Sequence, residues 1–105
     1  MKPIINGTVI VTSDEARDTL VKAITTVAVT EITSRRDGAY TTIHVNDLPF
    51  TREAYLRDAL HMIASRTAYG TLTIYENGAM WAYKYQAGRW WETSATLELE
   101  QVEAL

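Results

Sequence analysis

The sequence predicts an α+β protein built on an antiparallel sheet, and three observations support that prediction. Several segments alternate apolar with polar residues, which is typical of half-buried strands. Two other segments place apolar residues three or four positions apart, which is typical of amphipathic helices. Asp-Gly and Asn-Gly pairs separate some of the strands, as in tight hairpins. No linker or repeat divides the chain, so we expect one α+β domain over residues 1–105.

The composition excludes several classes of protein. The 105 residues are 47% hydrophobic and 22% charged, as in a globular domain that buries its own core. The chain has no cysteine, which rules out disulfides and thiol catalysis and makes a reducing compartment the simplest location. Its net charge of -3 gives no general attraction to nucleic acid. No segment has the length of a membrane span, so we expect a cytoplasmic protein.

The first strand and the first helix follow directly from pattern. Residues 4–12 alternate, which predicts a strand with Ile5 and Val9 on its core face. The next residues, from Thr12 to Glu15, fit a capping box that opens a helix. The helix should end near Thr25. Its predicted apolar stripe contains Ala16, Leu20, Ala23 and Ile24, with Val27 as a candidate last member.

The second and third strands are predicted at residues 27–35 and 39–46, joined by a type I′ turn at Asp37-Gly38. Counting back from that turn pairs Ile32 with Ile43 on the core face. The same register pairs Glu31 with His44 on the opposite face. Residues 46–49 then form a loop, after which Thr51 caps a second helix and Phe50 packs on Tyr55. The stripe of this helix is predicted to hold Leu56, Ala59, Leu60, Ile63 and Thr67.

A β-meander is predicted for the remainder of the chain. Gly70 ends a linker, and residues 71–76 form a strand that turns at Asn77-Gly78 and places Ile74 opposite Trp81. A further strand should run from Arg89 to about residue 96 after the turn at residues 87–88. The tail fits either a strand or a helix, and residues 100–105 are expected to fray or to depend on a partner.

This order of elements is that of a ferredoxin-like split β-α-β fold with an extended antiparallel sheet, β-α-β-β-α-β-β-β. The expected sheet order is 2-3-1-4-5-6, with both helices on one face. The other face is then uncovered, and its aromatic residues favour a protein partner or a second copy as its cover. The residues expected on this face are Thr8, Ile10, Glu31, Thr33, Tyr40, Thr42, His44, Thr71, Thr73 and Tyr75, with Met80 and Trp91 at its margin.

Catalysis is not predicted. The predicted pair of Glu31 and His44 would suit acid–base chemistry, but no nucleophile or oxyanion donor accompanies it in the sequence. The chain has no phosphate-binding glycine motif, and its two histidines, His44 and His61, lack the spacing of a zinc site. We therefore expect no enzyme activity, no metal and no cofactor.

A binding surface is the better hypothesis. The Arg35-Arg36 pair at a hairpin tip could grip an acidic group, and Trp91 should point away from its neighbour Trp90. The fold order also resembles an RNA-recognition motif, but the first strand carries no aromatic residue, so RNA or nucleotide binding is the alternative. The candidate binding residues are Arg35, Arg36, Tyr40, His44, Tyr75 and Trp91.

The segment from Glu76 to Trp81, followed by Gly88-Arg89, and the excess of arginine over lysine give a further indication. In these features the chain resembles small uncharacterised proteins of actinobacteria and their phages. The resemblance implies a phage-encoded or host accessory protein that acts inside the bacterial cell. Such a protein would work as an interaction module, through a homodimer or by binding a host protein with its open face or an edge strand.

Overall fold

The structure is a computed structural model that describes residues 3–25, 32–49, 53–93 and 99–101. In these residues it has seven strands, two α-helices and one 3-10 turn, which confirms the predicted α+β class. The elements are β1 (Ile4–Val11), α1 (Asp14–Ile24), β2 (Ile32–Asp37), β3 (Tyr40–Pro49), α2 (Glu53–Ile63), the 3-10 turn (Ala64–Arg66), β4 (Thr67–Glu76), β5 (Ala79–Gln86), β6 (Arg89–Thr93) and β7 (Leu99–Gln101).

The described strands form a single antiparallel sheet in the order β2-β3-β1-β4-β5-β6-β7. The sequence predicted the neighbours from β2 to β6 but left the tail undecided, and the structure adds β7 beside β6. Residues 100 and 101, expected to fray, belong to β7. Residues 94–98 and 102–105 lie outside the described residues, so the predicted extension of β6 to residue 96 and the expected fraying of residues 102–105 are not described. The helices pack together over one face, where their buried residues join those of the sheet in one core.

β1 occupies the middle of the sheet and pairs with β3 on one side and β4 on the other. Its alternate residues Ile5, Val9 and Val11 are fully buried under the helices, as predicted. Gly7 lies in the same row and has a φ of 151°. A Cβ at this position would lie 2.0 Å from the carbonyl oxygen of Thr71. β4 can therefore approach β1 only because residue 7 has no side chain.

Ser13, and not Thr12, caps α1. Its hydroxyl accepts a hydrogen bond from the backbone N–H of Ala16 at 3.1 Å. Thr12 instead donates to the carbonyl of Arg66 through both its backbone N–H, at 2.8 Å, and its hydroxyl, at 3.2 Å. The predicted helix stripe is confirmed from Ala16 to Ile24, because its four members there are buried, and Val27 lies outside the described residues. The helix also ends where expected, with Thr25 as its C-cap.

The second helix buries the stripe that the sequence predicted, with Leu56 and Leu60 fully buried. Thr67 is also buried, but it begins β4, and its hydroxyl donates to the carbonyl of Ile63 at 2.8 Å. Tyr55 is exposed. The predicted staple and cap at Phe50 and Thr51 lie outside the described residues.

The predicted register of the first hairpin was wrong by one residue on each strand. Asp37 pairs with Tyr40, so Gly38 and Ala39 form the turn, and Ile32 faces Val45 instead of Ile43. Only the first turn residue has a positive φ, 62° at Gly38, which is the pattern of a type II′ turn. Each residue of β2 therefore pairs with a residue of β3 that lies two positions further along β3 than predicted. Each side chain therefore stays on its predicted face.

Two segments predicted as loops belong to strands. Residues 46–49, expected as a loop, continue β3, and Asp47 takes a φ of 47° where the pairing with β1 shifts. β4 begins at Thr67 instead of residue 71, so Gly70 lies inside the strand. A Cβ on Gly70 would lie 2.1 Å from Cη2 of Trp90, which shows that the indole packs directly on the glycine backbone.

The hairpin at Asn77-Gly78 has the predicted register, with Ile74 opposite Trp81. The register of the next hairpin, which the sequence left open, places Gln86 opposite Arg89. Both residues of each turn have positive φ, as a type I′ turn requires. This part of the sheet is fastened to the core by aromatic residues. Tyr85 packs edge-on against Trp90 with ring centroids 5.6 Å apart. The Tyr85 hydroxyl also donates to the carbonyl of Ala64 at 2.8 Å.

Replacing Gly7 with alanine should destabilise the fold by about 3 kcal/mol, because the new methyl group meets the β4 backbone at an unfavourable φ. The matched control is Gly78→Ala. That turn residue also has a positive φ, 82°, but has open space around it, so it should cost only about 1 kcal/mol. Urea unfolding followed by circular dichroism measures both. Equal losses of stability in the two variants would contradict the close approach of the β4 backbone to Gly7.

Candidate functional site

The sheet face opposite the helices is the candidate site. One continuous row crosses it, because neighbouring strands place Thr33, His44, Thr8, Thr71, Lys84 and Trp91 side by side. Hydroxyls dominate the first four positions of this row. We call this surface the open face and define it by this row together with every second described residue before and after it on the strands β1 to β6.

Larger apolar side chains lie toward the two ends of the strands on the open face. Tyr69 neighbours Ile10 at one end, while Tyr75 neighbours Ile4 and Met80 at the other. Four of the large side chains on this face are about half exposed: Tyr40 at 50%, Tyr69 at 50%, Tyr75 at 49% and Met80 at 47%. The face thus combines a central strip of hydroxyls with exposed apolar groups at both ends.

The predicted pairing of Glu31 with His44 was wrong in register. His44 faces Thr33 on β2, and Glu31 lies outside the described residues. On the other side His44 faces Thr8, and its Nδ1 forms a hydrogen bond with the Thr8 hydroxyl at 2.9 Å. The hydrogen bond that orients the ring therefore comes from a neutral hydroxyl.

Arg35 and Arg36 do not form a joint site. Alternation along β2 sends their side chains to opposite faces of the sheet. Arg36 turns toward the helices, where its guanidinium lies 3.2 Å from the Asp14 carboxylate at the start of α1. Arg35 is exposed on the open face opposite Thr42. Of the two arginines, only Arg35 contributes its charge to the open face.

The structure places the other predicted site residues on the open face. Tyr40 faces Asp37 beside the first turn, and Tyr75 lies between β1 and β5. Trp91 is half-buried, and its indole N–H donates to the carbonyl of Gln86 at 2.9 Å. Its neighbour Trp90 is buried on the helix side. The prediction that these adjacent rings point in opposite directions is confirmed.

An irregular stretch at one end of β1 and β3 is held by a reciprocal pair of hydrogen bonds. The Asn6 side-chain amide donates to the Asp47 carboxylate at 3.0 Å, and the Asp47 backbone N–H donates to the Asn6 side-chain oxygen at 2.7 Å. This pair fixes the backbone where the strand register shifts between Ile5 and Gly7. It also engages the Asp47 carboxylate.

Tyr69 and the cationic residues other than Arg35 were not predicted as part of the open face. Tyr69 was assigned to a linker because Gly70 was taken as its end. The alternation of Tyr69, Thr71, Thr73 and Tyr75 was the signal that would have identified a longer strand. Lys84 faces Trp91, and Arg89 faces Gln86. Both cations lie on the open face because their chain neighbours Tyr83 and Trp90 are buried on the helix side.

Within residues 3–25, 32–49, 53–93 and 99–101, no cluster of three or more His, Asp or Glu side chains is placed to hold a metal ion. The helices in this part of the chain are too short and too polar to cross a bilayer. Comparison of the chain with protein-family models, with curated proteins and with solved structures gives no match. The open face is therefore the feature of this protein from which a function can be inferred.

Adjacent residues of β4 test this geometry. Tyr75→Thr should cost less than about 1 kcal/mol of stability, because its ring lies on the open face. Ile74→Thr should cost about 3 kcal/mol, because it places a hydroxyl among fully buried core residues. Urea unfolding of the two variants gives the comparison. A loss at Tyr75 as large as that at Ile74 would mean that the open face is covered within the chain itself.

Proposed function

We propose that this protein is a small protein-interaction module that binds a partner protein or a second copy through its open sheet face. The observation that carries the proposal is the set of half-exposed rings and Met80 on a face that the two helices leave uncovered. Such side chains bury large area at low entropic cost, and aromatic residues are enriched in binding hot spots.

The size of the open face supports the proposal. The strands β1 to β6 are five to ten residues long, and with about 3.3 Å per residue and about 4.8 Å between strands they make a face of roughly 750 Å². A typical specific interface buries about 800 Å² on each partner. The face is thus close to the size of one complete interface, and its hydroxyl strip supplies the hydrogen-bonding groups that such interfaces combine with apolar anchors.

We also propose the fold family, the cellular location and the origin that the sequence predicted. The order β2-β3-β1-β4, with a helix after β1 and another after β3, supports a ferredoxin-like split β-α-β unit extended by a C-terminal meander. We propose that the module acts in the cytoplasm, as a phage-encoded or host accessory protein of actinobacteria. The proposal assigns it binding, with no catalytic residue and no cofactor.

A second candidate function is binding of single-stranded nucleic acid. Among its described residues, the open face carries three cationic side chains, Arg35, Lys84 and Arg89, and the carboxylates of Asp37 and of Asp47, which is held by Asn6. Nucleic acids stack on exposed rings and pair their phosphates with such cations. The net charge of -3 for the whole chain opposes this function, so we rank it second.

The leading proposal predicts that Tyr75→Ser with Met80→Ser weakens binding at least tenfold, because both anchors leave the interface. The chain offers a matched control. Tyr55→Ser with Met62→Ser removes a tyrosine and a methionine that are 63% and 64% exposed on α2, and should leave binding unchanged. Light scattering measures self-association, and affinity capture from a candidate host lysate measures partner binding. The proposal would be contradicted if the protein is a strict monomer and the Tyr75→Ser, Met80→Ser variant captures partners as well as the wild type does.

The second candidate predicts binding of a labelled oligouridine that weakens steeply with added salt and is lost in Lys84→Glu. Fluorescence anisotropy measures it, with Lys22→Glu on α1 as the control for the same change in net charge. The absence of binding at low salt would remove nucleic acid as a ligand.

A further inference from the structure

The sequence contains two Asn-Gly pairs, Asn6-Gly7 and Asn77-Gly78, and the fold places them in opposite settings. An asparagine that precedes glycine is prone to lose its side-chain amide, because the glycine has no side chain to shield the backbone nitrogen that attacks it. The reaction needs this nitrogen to lie beside the side-chain carbonyl carbon. The setting of each pair therefore determines which asparagine can react.

The first pair is fixed by the sheet. Asn6 is half-buried in β1, and its side-chain amide shares two hydrogen bonds with Asp47, at 3.0 and 2.7 Å. Gly7 is paired with β3 on one side and with β4 on the other. Turning the peptide between Asn6 and Gly7 toward the side chain would break hydrogen bonds of the sheet as well as those to Asp47. Asn6 can therefore react only after the centre of the sheet has opened.

The second pair forms the turn between β4 and β5. Asn77 and Gly78 have φ values of 49° and 82°, and the flanking residues Glu76 and Ala79 pair with each other. In this type I′ turn the Gly78 nitrogen lies on the far side of the Cα–C bond from the Asn77 Cβ. Both turn residues are exposed, and a Cβ added to Gly78 would meet nothing within 4 Å. Among the described residues, none is close enough to Gly78 to obstruct a change in the shape of the turn.

A single rotation brings the reacting atoms together. Turning the central peptide of a type I′ turn converts it to a type II′ turn, which also fits a two-residue hairpin. The ψ of the first turn residue then becomes about -120°, which places the Gly78 nitrogen beside the Asn77 Cβ. Asparagine is disfavoured at the first position of a type II′ turn, so the reactive turn is a minor state. β4 and β5 nevertheless stay paired while it forms.

We propose that Asn77 is a site of spontaneous modification, at which the chain converts its own asparagine to aspartate and isoaspartate. A base from the solvent removes the proton of the Gly78 N–H, and the nitrogen attacks Cγ of Asn77. The new N–Cγ bond closes a succinimide ring, and the bond from Cγ to Nδ2 breaks, so that ammonia leaves with a proton from water. Water then adds to one or the other ring carbonyl and opens the ring to aspartate or isoaspartate. The reaction needs only water and a base.

The product changes the hairpin next to two anchors of the open face. Isoaspartate adds one methylene group to the backbone of a two-residue turn, which then no longer fits the type I′ geometry. Tyr75 and Met80 face each other one position beyond the pair that flanks this turn. Both products also add a negative charge at this end of the sheet. The modification itself does not depend on the proposed interaction function.

The test incubates the folded full chain in mildly alkaline buffer and follows each asparagine by peptide mapping with mass spectrometry, which detects the replacement of an amide by a carboxyl group. Asn77 should convert at least tenfold faster than Asn6, because only Asn6 needs the sheet to open. In concentrated urea the two rates should become similar, because the dipeptides are identical once the chain is unfolded. This comparison separates the effect of the structure from that of the sequence.

Two variants complete the test. Asn77→Gln keeps an amide but needs a larger ring, so the peptide that carries residue 77 should show no conversion over the same period. Asn77→Asp carries the charge of the product without the additional methylene group. It should unfold at a urea concentration close to that of the wild type, whereas the isoaspartyl fraction of the incubated protein should unfold at a lower one.

Three results would overturn the inference. The first is equal conversion of Asn6 and Asn77 in the folded protein. The second is a folded chain in which Asn77 stays intact over a period in which urea allows its full conversion. The third is an isoaspartyl fraction as stable as Asn77→Asp, which would mean that the modification leaves the hairpin undistorted.

Discussion

The central position of β1 is the constraint on which the rest of the structure depends. This strand is hydrogen-bonded on both sides, to β3 and to β4, and its helix-side residues are fully buried. It therefore joins the N-terminal hairpin to the C-terminal meander. The same alternation that buries Ile5 and Val9 turns Thr8 and Ile10 outward. The core and the open face are thus two consequences of one strand, and Gly7 sets how closely β4 approaches it.

Local sequence predicted the fold where a single local rule decides the geometry. The Asn77-Gly78 turn fixed its register because both residues accept a positive φ. The first hairpin was displaced because a type II′ turn needs only one such residue, and Gly38 supplies it in first position. Gly70 was interpreted as the end of a linker, whereas it makes room for the indole of Trp90. That contact joins residues 20 positions apart in the chain, which no local pattern reveals.

For the candidate site, the sequence predicted the sheet face on which each residue lies but not the contacts of its side chain. Alternation alone placed Tyr40, His44, Tyr75 and Trp91 on the open face. An error of two residues in the pairing partner does not change the face on which a side chain lies. The contacts of individual side chains could not be predicted from the sequence. The engagement of Arg36 by Asp14 spans 22 positions. The hydrogen bond between His44 and Thr8 spans 36. Such contacts arise only after the sheet has assembled.

The adjacent indoles of Trp90 and Trp91 have a practical consequence. One ring lies in the dry interior and the other at the edge of the surface where a partner is proposed to sit. Their emission and their access to a soluble quencher should therefore differ, although the two residues are neighbours in the chain. The protein carries its own optical reporters: the spectrum of the inner ring follows unfolding, and shielding of the outer ring follows complex formation.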